Sequence, residues 1–192
     1  MKKRFIVAIG GASGVIYGVR LLEMLAQDEQ VETHLVMSRT AQLNLKVETD
    51  HTLENVHALA DFVYKPGDVA APISSGSFKT DGMIVAACSM KTLSGIVNSY
   101  ADDLLVRAAD VCLKDRRTLI LMPREAPLHA GHCKLLYEAA MLGAIIAPPL
   151  PAFYNRPISV DDIIDHTAGR VLDLLGIDTG NVQRWNGVEG AS

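Results

Sequence analysis

Residues 4–20 read Arg4-Phe5-Ile6-Val7-Ala8-Ile9-Gly10-Gly11-Ala12-Ser13-Gly14-Val15-Ile16-Tyr17-Gly18-Val19-Arg20, and this stretch decides the fold. An unbroken apolar run that stops at a glycine pair is the pattern of a strand buried on both faces. Apolar residues at Val15, Val19, Leu22 and Leu25 then recur at helical spacing. The glycines therefore occupy a strand-to-helix turn. The amides of a first helical turn lack partners and the helix dipole is positive there, so such a turn accepts an anion. Glycine lets backbone come close to a phosphate, and Ser13 adds a hydroxyl. Gly10, Gly11 and Gly14 do not fit G-x-G-x-x-G, and no Gly-Lys-Ser/Thr follows. Two readings stand: a turn that only packs a helix on a strand, or a mononucleotide phosphate cradle. The second strand, 32–37, ends in Ser38-Arg39, where a nicotinamide-binding fold places an acid on the ribose. Serine there favours FMN over NAD.

The rest of the chain extends the same pattern. Of its 192 residues 49% are hydrophobic, which suits one α/β domain with a sizeable core. A net charge of -4 without a basic stripe argues against nucleic acid. The Met1-Lys2-Lys3-Arg4 start precedes too short an apolar run for a membrane span, and no signal-peptide cleavage pattern follows. Three scattered cysteines, Cys88, Cys112 and Cys133, fit a reduced cytoplasmic protein. Cys133 with His129 and His132 lacks the spacing of a complete metal site, so no metal is expected.

A helix over 40–47 follows, capped by Ser38. Residues 51–77 form a long polar excursion with one expected helix at 53–61; loops this long are usually functional. A third strand is read at 82–87. It runs into Cys88-Ser89-Met90-Lys91-Thr92, a second strand-to-helix turn, with a helix from about residue 93. Two such turns at neighbouring strand ends form the crevice of a doubly wound sheet, although an ordinary N-cap would also explain the second. A helix over 104–113, strands at 118–122 and 143–147, a helix at 135–142 and a last helix from Ser159 to 175 complete the pattern. Asp102 and Asp103 read as a cap and surface charge before the helix over 104–113. The expected architecture is a three-layer, flavodoxin/Rossmann-like doubly wound parallel sheet with strand order 3-2-1-4-5. It forms a single flavoprotein domain over 1–177 with a loosely ordered tail over 178–192.

Several segments together resemble one family, the UbiX-type flavin prenyltransferases, formerly described as phenolic-acid decarboxylases. They are Gly11-Ala12-Ser13-Gly14, Glu48-Thr49-Asp50, Ser75-Gly76-Ser77, Cys88 through Gly95 and Arg107-Ala108-Ala109-Asp110. Pro123-Arg124-Glu125-Ala126-Pro127 and Pro151-Ala152-Phe153-Tyr154 complete the set. The resemblance spans residues 3–177. It implies a flavodoxin-like fold and transfer of a dimethylallyl group from dimethylallyl phosphate to N5 and then C6 of reduced FMN, without a metal. It also implies a dodecamer with active sites at subunit contacts, and a UbiD-type decarboxylase that receives the prenylated FMN. Ubiquinone biosynthesis and phenolic-acid degradation both fit as destinations.

Carried over by position, Gly11, Ala12, Ser13, Ser38, Ser89, Met90, Lys91, Thr92 and Arg124 correspond to FMN contacts. Tyr154 and Arg170, with Arg107 and Lys114, correspond to ligands of the prenyl phosphate. Ser13, Glu48, Lys114 and Glu125 correspond to the catalytic set. The chemistry needs such groups: a phosphate monoester dianion leaves poorly, and cations that bind it more tightly as the C–O bond breaks lower the barrier. Ser13 with Glu48 would relay protons near flavin N5, and Glu125 would move a proton with the phosphate. The competing readings are an FMN-dependent cysteine decarboxylase, a direct aromatic-acid decarboxylase and an FMN carrier.

Overall fold

The computed structural model describes residues 2–180 and 182–187. Strand β1 (Lys3–Ile9) leads through the glycine turn into helix α1 (Val15–Leu25), then β2 (Val31–Met37), α2 (Arg39–Glu48), α3 (Leu53–His57) and β3 (Phe62–Tyr64). A 3-10 turn at Pro72–Ser74 precedes β4 (Gly82–Cys88), α4 (Met90–Val97), α5 (Leu104–Lys114) and β5 (Thr118–Pro123). Helix α6 (Ala130–Met141), β6 (Ile145–Ile146) and α7 (Val160–Asp173) follow. All six strands are parallel, in the order β3-β2-β1-β4-β5-β6.

Alternation along the strands sorts the core into two layers. Phe5, Val7 and Ile9 of β1 face α1 and α7, packing with Leu22, Ala168 and Leu172. Ile6 and Ala8 face the other way, toward Leu93, Leu105 and Ala109 of α4 and α5. Helices cover both faces, so β1, β4 and β5 read as nearly continuous apolar runs, while β2 carries Glu32, Thr33 and His34.

The expected strand order needs correction. The strand read at 82–87 was placed beside the second strand, but as β4 it pairs with β1, Phe5 opposite Gly82 and Ile9 opposite Ala86. The place beside β2 belongs to β3, three residues inside the polar excursion. Three residues carry too little periodicity to be read as a strand, and α3 accordingly stops at His57 rather than 61. Helix α6 starts five residues earlier than expected, because His129 caps it by accepting from Gly131 N–H. The caps at Ser38 and Ser159 are as read, the latter within a capping box closed by Asp162, and of the pair Asp102-Asp103 it is Asp103 that caps α5.

The expected tail falls partly outside the described residues, at 181 and 188–192. Within its described part Val182 is buried, a Cβ on Gly169 would meet its side chain at 2.6 Å, and Arg184 pairs with Asp173.

The ends of β1 and β4 are joined by a tight seam. Gly10 N–H donates to Ala86 O and Ala12 N–H to Ala87 O, at 2.8 and 3.1 Å. A Cβ on Gly10 would lie 2.6 Å from the Ala87 carbonyl oxygen. Ala87 itself has φ 48, at a register irregularity in β4. Gly10→Ala is therefore expected to destabilise the chain by about 1–3 kcal/mol, since the clash is with backbone that cannot move aside. Chemical denaturation checks this; an unchanged midpoint would show that the seam is loose.

Candidate active site

The doubly wound sheet reverses direction between β1 and β4, and a cleft opens at the carboxyl ends of the strands there, where such sheets bind ligands. Its volume is about 440 Å³. Gly11 comes from the β1–α1 turn, Ser38, Arg39 and Thr40 from the start of α2, and Ser89, Lys91 and Thr92 from the start of α4. Pro66 and Gly67 close one side, Asp102 and Asp103 another.

Each wall is held by its own cap. Ser38 Oγ accepts from Ala41 N–H at 3.0 Å. Ser89 Oγ accepts from Thr92 N–H at 3.2 Å and lies 3.1 Å from Thr92 Oγ1. Asp103 caps α5 through Val106 N–H. Lys91 reaches Asp102 at 3.5 Å across the opening. Two helix N-termini and two cations, Arg39 and Lys91, thus converge on one space, an arrangement that favours a bound anion.

The β1–α1 turn differs from expectation. Two of the first-turn amides expected to meet a ligand anion, Gly14 N–H and Val15 N–H, donate instead to Glu48 Oε2 at 2.8 and 3.3 Å. The anion at the start of α1 is a side chain of the protein. The helix N-termini that open on the cleft are those of α2 and α4.

Of the residues singled out in the sequence, Gly11, Ser38, Ser89, Lys91 and Thr92 come together in the cleft, with Ala12 and Ser13 in the adjoining turn. Met90 packs against the core beneath α4. Arg124 N–H donates to Cys88 O at 3.2 Å, which sets its exposed side chain beside the α4 turn. Glu125 is exposed next to it and accepts from Ala126 N–H.

The other candidates lie apart. Lys114 ends α5 at the amino edge of the sheet, opposite the cleft, where it pairs with Asp115 at 2.7 Å. Arg107 is spent on Asp110 and on the Ser74 carbonyl, holding the 3-10 turn. Tyr154, in the loop before α7, forms a separate cluster against that helix: its hydroxyl lies 2.9 Å from Nε2 of buried His166, and Trp185 meets its ring edge-on. Arg170 stands one turn beyond His166 and pairs with Asp173.

Sequence reading missed Arg39, Thr40, Asn44, His166 and the cleft role of Pro66-Gly67. Only the last had a signal, the length of the excursion that carries it. Cys88 and Cys112 are buried thiols pushed up to about 12 by burial, so neither supplies a thiolate near neutral pH.

Comparison with known proteins agrees with this geometry. The family model described as Flavoprotein matches residues 1–172. The flavin prenyltransferase UbiX of Escherichia coli K12 is 57% identical over 187 residues, covering 96% of this chain and 99% of that one. The chain belongs to the UbiX flavin prenyltransferase family. A crystal structure of AnUbiX in complex with FMN and dimethylallyl pyrophosphate is 50% identical with a TM-score of 0.96, covering 98% of this chain and all of that one. A dodecameric FMN-dependent UbiX-like decarboxylase from Escherichia coli O157:H7 is also 50% identical, with a TM-score of 0.94, covering 96% of this chain and 100% of that one. The flavodoxin-like sheet of the UbiX family is thus the sheet described above. Among the described residues no helix is long and apolar enough to cross a membrane, and no group of three or more His, Cys, Asp or Glu side chains could hold a metal ion.

Proposed function

We propose that this UbiX-family chain transfers a dimethylallyl group from dimethylallyl phosphate to N5 and C6 of reduced FMN. The product is prenylated FMN for a UbiD-type decarboxylase in the cytoplasm. The observation that carries the reading is the cleft itself, a glycine turn and two capped helix N-termini with Arg39 and Lys91. Its residues fit a flavin mononucleotide: two helix N-termini with Arg39 and Lys91 suit the phosphate, and Gly11, where a Cβ would press on Thr40 Cβ at 3.0 Å, lets the turn pack closely on α2. When bound, reduced FMN supplies the nucleophilic ring positions and a π face for the allylic group.

The chain's own residues then divide the work. Gly11, Ala12, Ser38, Ser89, Met90, Lys91, Thr92 and Arg124 hold the flavin and its phosphate. Ser13, half-buried in the turn, is placed to pass a proton at N5, with Glu48 behind it. Tyr154, Arg170, Arg107 and Lys114 bind the prenyl phosphate, and a planar guanidinium suits its oxygens. Glu125 moves a proton with the leaving phosphate.

One protomer does not bring these groups together, because Lys114 and the α7 cluster lie away from the cleft. A homo-oligomer resolves this, and dodecameric assembly of a relative supports it. Exposed apolar side chains around Tyr154, including Leu150 (72% exposed), Phe153 (72%) and Ile158 (96%), suit a surface covered by another copy.

The test is anaerobic incubation with FMN, a reductant and dimethylallyl phosphate, and then the mass of the released flavin. A gain of one five-carbon prenyl unit is expected. Unchanged flavin, with binding confirmed by absorbance, would refute the transferase. The diphosphate, present in the AnUbiX complex, is the comparison donor.

A further inference from the structure

Helix α2 does more than line the cleft. Asn44 Nδ2 donates to the carbonyls of Gly11 and Ala12, at 3.3 and 3.1 Å. Four residues on, Glu48 Oε2 accepts from the amides of Gly14 and Val15. Positions four apart share one face of a helix. One face of α2 therefore grips both polarities of the same turn, an amide on its carbonyls and a carboxylate on its amides. From the opposite side β4 takes Gly10 N–H and Ala12 N–H.

These bonds leave a pattern. Between Gly10 and Val15 the amides of Gly10, Ala12, Gly14 and Val15 are all engaged. Those of Gly11 and Ser13 have no partner among the described residues. Unpaired donors beside a cleft are what a ligand acceptor completes. Gly11 lines the cleft, and the Ser13 hydroxyl stands on the same turn.

The geometry points to Asn44 as a positioning residue of the site. With Glu48 it clamps the β1–α1 turn so that Gly11 N–H and Ser13 N–H are the donors offered to the bound flavin. This rests on the flavin reading above. It assigns Glu48 a positional duty beside any proton transfer, and it gives Asn44 a role through the turn rather than by contact with the ligand.

The clamp is tested by substitution at Asn44 with FMN binding as the readout. Asn44→Asp keeps the shape but sets a carboxylate against two carbonyl oxygens. The dissociation constant for FMN is expected to rise about 10- to 100-fold, the range for turning one buried hydrogen-bonded contact into an unpaired one. The visible circular dichroism of the remaining bound flavin should change, because its hydrogen bonds are re-aimed. Asn44→Gln, which restores a donating amide on a longer stem, should recover part of the affinity; Asn44→Ala should not.

Glu48→Gln keeps an accepting oxygen for the Gly14 and Val15 amides, so it is expected to bind FMN within a few-fold of the natural chain. Glu48→Ala is expected to weaken binding as Asn44→Asp does. If Asn44→Asp does not fold, Asn44→Ala and Asn44→Gln carry the comparison. Wild-type affinity and an unchanged flavin spectrum in folded Asn44→Asp or Asn44→Ala would overturn the clamp. Flavin that binds but is not prenylated would sink the proposed reaction, and the clamp would still be decided by the affinities. No flavin binding by the natural chain would overturn both.

Discussion

Mixing two crippled variants, Lys114→Ala and Glu125→Gln, is expected to restore activity that neither shows alone. Each removes one strong group from a site that stabilises a departing phosphate, so each should lower turnover about 10²–10³-fold. In one protomer the two residues stand at opposite ends of β5, which at six residues spans roughly 20 Å. No side chain bridges that distance, so the two meet only if Lys114 of one copy enters the cleft region of another. In randomly reassembled oligomers of equal parts, roughly a quarter of the sites would then pair an intact Lys114 with an intact Glu125. Turnover should climb to about that fraction of the natural value. Mixed oligomers, confirmed by mass, that stay inactive would show that Lys114 serves no neighbouring site.

Acid is expected to weaken the protein through His34. This residue is 1% exposed in β2, stacked on Phe62 at 5.0 Å and on Tyr64 at 5.9 Å. Its Nδ1 lies 2.9 Å from the Tyr64 hydroxyl and its Nε2 3.0 Å from Glu32, which also binds Arg4. Burial pushes the imidazole below its ordinary value and Arg4 adds to this, while Glu32 and Asp61 oppose it. The folded chain therefore resists a proton that the unfolded chain accepts near pH ~6.5. The stabilisation is fully present above that pH and is lost as pH falls below it.

Asp61 behaves differently. Its own burial would raise it, but the Thr33 amide and hydroxyl hold it below its usual value, so its contribution fails only below pH ~4. Between those limits His34→Phe should show a flatter stability profile than the natural chain. His34→Ala should cost about 2–4 kcal/mol at pH 8, where charge plays no part and the loss is of packing and of a partner for Tyr64 and Glu32. A wild-type profile that does not fall between pH 6.5 and 4.5 would refute the assignment.

What the sequence disclosed, and what it hid, follows from the reach of each signal. The β1–α1 and β4–α4 turns were legible because glycines, hydroxyls and apolar runs lie within a dozen residues of one another, and local chemistry is written locally. The cleft they form was legible for the same reason. β3 was not, since three residues give no period and its pairing with β2 depends on Thr33 and His34, far away in sequence.

The strand order failed with it. Once an unseen strand takes the place beside β2, the strand at 82–87 moves to the other side of β1. Glu48 was singled out through the resemblance, but its grip on the Gly14 and Val15 amides could not be read, because a carboxylate at a helix C-terminus looks like solvated charge. Asn44 left no mark at all. Lys114 and Tyr154 were assigned by resemblance alone, and the structure sets both apart from the cleft of their own chain.

The seam between Gly10 and Ala87 bears on how tightly a ligand can be held. The two turns are bonded to each other before anything enters the cleft, through Gly10 N–H and Ala12 N–H. Their relative placement costs no ordering at the moment of binding, so interaction energy with a ligand appears as affinity rather than being consumed in assembling the site. Among the described residues the loop of Pro66 and Gly67 has no such tie to either turn; its anchor is at the start of α5, where Pro66 O accepts from Leu104 N–H at 2.8 Å. Preorganisation is thus uneven around the opening: the floor is set during folding, and any adjustment to the size of the guest falls to the rim.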